Sequence, residues 1–159
     1  MADEVLLRDA EETDIPVFFR HQLDTAARCT AAFTAKNPTD EEAFGKKWRK
    51  ILANEAWTKR TILVDGAVAG HVVVYEQEGD LEVTYWIGKE HWGRGIASEA
   101  LAAILGEVTD RPLFGRTAFD NVASQKVLQR HGFVLLDEEV SYANGRGEDV
   151  RELVFRLDA

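Results

Sequence analysis

A glycine-rich segment from His91 to Leu101, HWGRGIASEAL, has residue types and spacing that could bind an anion. Gly93 and Gly95 lie between a predicted strand and a predicted helix, where backbone N–H groups have no partner and the helix dipole is positive. A pyrophosphate would be stabilised there, because glycine lets the backbone approach the phosphate oxygens closely. The alternative interpretation is a flexible connection with two turn glycines.

Two well-characterised phosphate loops fit this segment poorly. A Walker A loop needs G-x-x-x-x-G-K-[ST], which the sequence lacks. A dinucleotide fingerprint needs a third small residue three places after Gly95, where Ser98 is an imperfect match. That fingerprint also belongs to the first strand of a parallel βαβ unit, whereas this segment follows a run of predicted hairpins. A nicotinamide or flavin enzyme is therefore disfavoured.

The elements around this segment predict a mixed α/β fold. Thr13 is expected to cap a first helix through Leu23, and Thr39 with Glu42 has the spacing of a capping box for a second. Turns at Asp65-Gly66 and Asn144-Gly145 predict two hairpins, and residues 28–38 show no clear period. The predicted order is β-α-α-β-β-β-α-β-α-β-β, with a mostly antiparallel sheet.

Length and composition narrow the class of protein. The 159 residues are expected to form a single domain, 1–159, that is large enough to fold without disulfides or metal. The net charge of −9 disfavours nucleic acid or a membrane surface as the main partner. A single cysteine, Cys29, and an acidic N-terminus unlike a signal peptide favour the cytoplasm.

Two motifs in order, WGRGIASEAL and DNVASQKVLQRHGF (Asp120 to Phe133), resemble the GNAT N-acetyltransferase superfamily. The resemblance covers essentially the whole chain, and it is strongest to the branch that contains ribosomal-protein N-terminal (alanine/serine) acetyltransferases. It implies a GNAT-like α/β (α+β) fold, in which helices cover both faces of a single mixed, mostly antiparallel sheet. It also implies transfer of the acetyl group of acetyl-CoA, the co-substrate, to a primary amine by direct attack.

The resemblance further implies where acetyl-CoA binds. The pantetheine arm would lie where two neighbouring strands splay apart, one ending at Ile87 and one near Phe114, and would pair with main-chain groups of Trp86 and Ile87. Asn121 would contact the pantetheine, in addition to or instead of capping a helix. Lys126 and Arg130 are candidates for the 3′-phosphate of CoA. The pyrophosphate would bind the N–H groups of Trp92, Gly93, Arg94, Gly95, Ile96 and Ala97.

The sequence departs from the family pattern at two positions. Trp92 stands where the superfamily often has Arg or Gln, but the branch resembled here accepts Trp-Gly. Leu128 stands where many members have a Tyr as general acid. Ser124, three residues after Asn121, is the implied replacement, because a hydroxyl near sulfur can donate a hydrogen bond to the departing thiolate.

Other candidate site residues come from the predicted strands and loops. Glu82 shares a strand face with Thr84 and Trp86, and it is the first candidate for a base or for a group that holds the substrate cation. The alternative is a solvated edge-strand acid. His71 is a weaker candidate base and a candidate substrate contact, and Phe33 is a candidate wall of the acceptor pocket. Phe44 and Trp48 are expected in a helix core. His21, His91, His131 and Cys29 have no ligand spacing, so no metal site is predicted.

Several alternatives stay open at this point. A non-catalytic acyl-CoA-binding or sensing module would keep the same cleft, and the missing Tyr at Leu128 is consistent with it. The acceptor amine could belong to a protein N-terminus, an aminoglycoside, a polyamine or an amino-acid derivative, because a fold does not define the second substrate. The closing hairpin leaves strand edges that a homodimer would cover.

Overall fold

The computed structural model describes residues 4–159, which form one seven-stranded sheet and five α-helices. The strands are β1 (Val5–Asp9), β2 (Thr58–Val64), β3 (Ala67–Gln77), β4 (Asp80–Ile87), β5 (Leu113–Ala118), β6 (Val134–Ala143) and β7 (Glu148–Leu157). The helices are α1 (Ile15–Gln22), α2 (Thr25–Ala31), α3 (Glu41–Ala53), α4 (Ile96–Glu107) and α5 (Val122–Arg130), with 3₁₀ turns at Glu12–Asp14 and Lys89–His91.

The sheet has the order β1-β2-β3-β4-β5-β7-β6. Every neighbouring pair is antiparallel except β4 and β5, which run parallel. The connection between these two strands passes through α4, as parallel strands require a crossover. The predicted mixed, mostly antiparallel sheet is therefore confirmed.

The parallel pair opens into a fork. β4 and β5 are paired only from Leu81 with Leu113 to Val83 with Gly115. Beyond these positions β4 continues to Ile87 and β5 to Ala118 without being paired to each other. Over the same stretch β4 stays paired with β3 and β5 stays paired with β7. The two halves of the sheet thus diverge, and each leaves an inner strand edge with free main-chain groups.

Helices cover both faces of the sheet. On one face, α4 and α5 bury a large core that includes Leu101, Leu128 and Phe155. On the other face, α1 and α3 pack Phe18 and Trp48 against Val73 of β3. We call these the α4/α5 face and the α1/α3 face. Since side chains alternate along β4, Val83, Tyr85 and Ile87 belong to the first face and Glu82, Thr84 and Trp86 to the second.

A buried carboxylate fixes α1 to the first two strands. Asp14 is 3% exposed and accepts two hydrogen bonds of 2.7 Å from the guanidinium of Arg8, one of 2.7 Å from Thr61 and one of 2.9 Å from the Glu11 amide. Burial raises the pKa of Asp14, but these hydrogen bonds outweigh it and lower the pKa overall. The ion pair therefore stabilises the junction of β1, α1 and β2.

Three local expectations were wrong. Thr13 does not cap α1: it lies in the 3₁₀ turn, and α1 begins after Asp14 with Pro16 in its first turn. α3 is capped by Asp40 rather than Thr39, because the Asp40 carboxylate accepts from the Ala43 amide at 3.0 Å. The predicted element order omits a helix, because α2 (Thr25–Ala31) lies between α1 and α3.

Candidate functional site

The glycine-rich segment forms an open anion cradle at the start of α4. Gly93 and Gly95 have φ of +76° and +74°, and a Cβ built on either would meet no heavy atom within 4 Å. Left-handed backbone of this kind strongly favours glycine. Gly95 is the N-cap of α4, and the buried Ile96 anchors the first turn. The first-turn N–H groups have no acceptor within the helix and carry the positive end of the helix dipole, next to the open space at Gly93 and Gly95.

The fork also carries unpartnered polar atoms on both of its strands. Among the described residues, Trp86 Nε1 on β4 and Thr117 Oγ1 on β5 are buried and make no hydrogen bond. Both residues lie beyond Val83 and Gly115, the last paired positions. A buried polar atom without a partner costs about 1–3 kcal/mol, so each of these two atoms would be stabilised by a hydrogen bond from outside the described contacts. The unpaired strand edges beyond Val83 and Gly115, together with the open cradle, fit an extended molecule that ends in phosphates.

Trp92 is hydrogen-bonded to the last residue of β4. Its indole Nε1–H donates a hydrogen bond to the Ile87 carbonyl oxygen at 2.9 Å, while the side chain stays 41% exposed. A carbonyl oxygen has two lone pairs, so the Ile87 oxygen can still accept a second donor. Arg94 contacts His91 within the loop, with 3.3 Å between Nη1 and Nδ1. The main-chain groups of Trp86 and Ile87 can therefore still form hydrogen bonds with an extended molecule alongside β4.

The start of α5 follows β5, the second strand of the fork. The Asn121 side-chain oxygen caps the helix by accepting from the Ser124 amide at 3.3 Å, so the predicted capping role is confirmed and its ligand role stays a prediction. Lys126 and Arg130 are exposed on the helix surface. Leu128 is 2% exposed and packs where a Cβ on Gly115 would meet it at 2.9 Å. A packed Leu128 supplies no proton donor.

Ser124 has a partner that the sequence did not predict. Its hydroxyl oxygen lies 2.7 Å from the hydroxyl of Tyr85, which comes from β4 just beyond the fork. Burial raises the pKa of Tyr85, although the hydrogen bond to Ser124 opposes this, so the phenol stays neutral at physiological pH. The two hydroxyls join β4 to α5 on the α4/α5 face.

Glu82 is buried in a charged network on the α1/α3 face. It is 5% exposed, and its carboxylate accepts one hydrogen bond of 2.7 Å from the Tyr75 hydroxyl and one of 2.7 Å from Arg116 Nε. Arg116 also reaches Glu139 at 2.7 Å and Glu152 at 3.1 Å. The guanidinium thus ties β4, β5, β6 and β7 together across the base of the fork.

The network has more carboxylates than cations, and this affects its titration. Burial raises the pKa of Glu152, since the attraction of Arg116 does not fully offset it and Glu139 and Glu82 add repulsion. Burial likewise raises the pKa of Tyr75, with the hydrogen bond to Glu82 acting in the same direction. Both oxygens of Glu82 are engaged, so its role as a base stays a prediction that needs one of these bonds to yield.

The two predicted acceptor contacts lie apart from each other. His71 pairs with Trp86 across β3 and β4, and its ring contacts Phe18 and Trp48 with centroids 4.8 and 4.7 Å away. Burial lowers the pKa of His71 to about 3, with smaller contributions from nearby positive groups, so the imidazole is neutral. Phe33 follows α2 and packs against a small cluster that includes Ala118 and Val150. Their binding roles stay predictions.

The model of the acetyltransferase (GNAT) domain matches residues 4–134. The chain belongs to the GNAT acetyltransferase family. The family predicted from the two motifs is thus confirmed, and with it an acyltransferase enzyme. Within residues 4–159, no helix is long and apolar enough to cross a membrane, and no group of His, Cys, Asp or Glu is placed to hold a metal ion.

Individual relatives agree with this family. YdaF of Bacillus subtilis (strain 168), which carries a provisional name as a ribosomal N-acetyltransferase, is 26% identical over 133 residues, or 74% of this chain and 72% of that protein. RimJ of Mycobacterium smegmatis, solved in complex with CoA-disulfide, superposes with a TM-score of 0.77 at 20% identity over 98% of this chain and 82% of its own. A ribosomal-protein-alanine N-acetyltransferase from Brucella melitensis superposes with a TM-score of 0.80 at 20% identity, over 97% of this chain and 99% of its own. These two structures share the fold.

Proposed function

We propose that this protein, as a single domain over residues 1–159, transfers the acetyl group of acetyl-CoA to a primary amine by direct attack. The observation that carries the proposal is the fork between β4 and β5, with the open Gly93–Gly95 cradle beyond the end of one of its strands. A thioester bound along the inner edge of β4 would have its pyrophosphate on the first turn of α4.

The cofactor contacts follow from this placement. Main-chain groups of Trp86 and Ile87 pair with the pantetheine amides, and the segment from Trp92 through Gly93, Arg94, Gly95 and Ile96 to Ala97 binds the pyrophosphate. Asn121 adds a polar contact from the other side of the fork. Lys126, exposed on α5, reaches the 3′-phosphate. Support comes from the unpaired edge of β4 beyond Val83 and from the open space at Gly93 and Gly95.

The reaction requires an amine nucleophile, a place for the ammonium charge and a donor for the leaving thiolate. The amine enters from the α1/α3 face, where Glu82 supplies negative charge and accepts a proton directly or through water. The amine nitrogen attacks the thioester carbonyl carbon, the carbon–sulfur bond breaks and its electron pair goes to sulfur. Ser124 donates a hydrogen bond to the thiolate as it forms. His71 on the α1/α3 face and Phe33 in its separate cluster contact different parts of the acceptor.

For the acceptor, we infer a protein N-terminus ahead of a small-molecule amine. The names of YdaF and of the Brucella melitensis protein support this choice, because both refer to ribosomal N-acetyltransferases. The acidic surface, with its net charge of −9, also favours a cationic acceptor over a nucleic acid.

Release of free thiol from acetyl-CoA tests the proposal. Peptides with N-terminal alanine or serine, a polyamine and an aminoglycoside are offered in turn, and each product is checked for one added acetyl group by mass spectrometry. Amine-dependent thiol release is the expected result. Binding of acetyl-CoA without thiol release for every acceptor class would favour a sensing module instead.

A further inference from the structure

Within residues 4–159, the hydroxyls of Tyr85 and Ser124 form the one hydrogen bond between side chains of β4 and α5. They lie 2.7 Å apart and are separated by 39 residues in sequence. Tyr85 follows Val83, the last residue of β4 that is paired with β5, by two positions on the same face. The bridge therefore lies on the α4/α5 face immediately beyond the point where the fork opens.

The direction of this hydrogen bond determines what Ser124 can do. A serine hydroxyl has one proton to donate and two lone pairs to accept with. When the Tyr85 hydroxyl donates to Ser124, the serine proton stays available for a third atom. In the opposite direction, the serine proton is used on Tyr85 and Ser124 can only accept. A departing thiolate needs a donor, so only the first direction serves the reaction.

Tyr85 suits the donor role. Its hydroxyl bonds to no other side chain recorded in the described part of the chain, so Ser124 is its partner in either direction. Burial keeps the phenol protonated by raising its pKa. A donated bond also polarises the next hydroxyl in a chain, which strengthens the bond that Ser124 gives.

We propose that Tyr85 is a positioning residue for acetyl transfer: its hydroxyl donates a hydrogen bond to Ser124 Oγ and so directs the hydroxyl hydrogen of Ser124 at the sulfur of CoA. The inference rests on the proposed function. In the step itself, the C–S electron pair moves to sulfur, while Tyr85 and Ser124 keep their protons. The thiolate takes its proton from solvent after the acetylated amine has formed.

The experiment uses the full chain with Tyr85→Phe, Ser124→Ala and the double variant. Tyr142→Phe is the matched control, because Tyr142 is 60% exposed on β6, the outer strand of the sheet. The first readout needs no turnover: the pKa of the CoA thiol in the complex, followed by the ultraviolet absorbance of the thiolate. Affinity for desulfo-CoA, which lacks the sulfur, is measured alongside.

We expect the bound thiol to have a lower pKa than free CoA in the unmodified protein and in Tyr142→Phe. Tyr85→Phe raises that pKa towards the value of free CoA and leaves desulfo-CoA affinity unchanged. For turnover, Tyr85→Phe lowers kcat about three- to tenfold with little change in the KM for acetyl-CoA, as the loss of one hydrogen bond predicts. The double variant is no slower than Ser124→Ala, because the two residues act in sequence.

The opposite results overturn the inference. An unchanged thiol pKa in Tyr85→Phe, or a kcat equal to that of the unmodified protein, shows that Tyr85 does not act through Ser124. Additive losses in the double variant show that the two hydroxyls act independently. If CoA does not bind the unmodified protein at all, the proposed function fails first, and the inference fails with it.

Discussion

Gly95 allows the cofactor cradle to be tested separately from the stability of the fold. The residue has a φ of +74°, and a side chain there would extend into space that holds no protein atom within 4 Å. Replacing Gly95 by Gln therefore leaves the packing intact and places a side chain over the first-turn amides of α4. The change costs backbone strain, because an L-residue in the left-handed region loses about 1–2 kcal/mol.

A matched control exists in the turn between β3 and β4. Gly79 has a φ of +87° and an equally open surrounding, but it lies at the end of β4 opposite to Ile87. Gly79→Gln therefore carries the same strain without covering the cradle. For a domain of this size we expect both variants to lose about 2–8 °C in Tm.

Thermal unfolding with and without acetyl-CoA distinguishes the two sites. Ligand at about 100 times its Kd adds roughly 2.7 kcal/mol, or about 5–11 °C in Tm, to the unmodified protein and to Gly79→Gln. Gly95→Gln is expected to lose this gain. An equal gain in Gly95→Gln would refute the assignment of the cradle to the pyrophosphate, and loss of the gain in both variants would attribute the effect to strain alone.

Three further predictions concern ionisable groups. Asp14→Asn should lower the free energy of unfolding by about 2–4 kcal/mol at neutral pH. The difference from the unmodified protein should shrink as acid protonates Asp14, because a carboxyl with a lowered pKa stabilises the fold only while it is ionised. Urea titrations at several pH values measure this difference. His71 should stay neutral in the folded protein down to about pH 3, which histidine NMR shifts report. Between pH 6.5 and 3 the unfolded chain binds a proton at His71 that the folded protein does not, so the free energy of unfolding falls as the pH falls through this range. Glu82→Gln should lower kcat at least tenfold, because the base is lost. It should also lower the free energy of unfolding by about 1–3 kcal/mol, since a charge-assisted hydrogen bond to Arg116 or Tyr75 is weakened. An unaltered kcat would show that Glu82 is not the base, although it could still stabilise the fold.

The sequence predicted the elements whose signals are local. Two glycines followed by an apolar helix stripe identified the cradle, and an asparagine before a helix identified the Asn121 cap. The two-residue alternation of side chains along a strand placed Glu82 on one face with Thr84 and Trp86. Each of these signals depends on residues within a few positions of one another, so packing was not needed to read them.

Features that depend on packing were missed or misassigned. α2 has the sequence TAARCTA and lacks an apolar period, and it is fixed by the Asp24 cap and by tertiary contacts of Ala27. Thr13 and Thr39 lost their capping positions to a neighbouring aspartate one residue later. The partners of Glu82 come from two other strands, β3 and β5, and the partner of Ser124 comes from 39 residues away. No local pattern encodes such pairs.

The location of acetyl-CoA is tested most directly by following backbone amide resonances of the labelled protein during a titration with acetyl-CoA. The account predicts shifts concentrated in three segments: residues 84–87 of β4, residues 92–97 of the cradle and residues 121–124 of α5. Amides on the outer strand β6 and in α3 should stay unchanged. Shifts confined to other parts of the chain, or none at saturating acetyl-CoA, would contradict the placement of the thioester in the fork between β4 and β5.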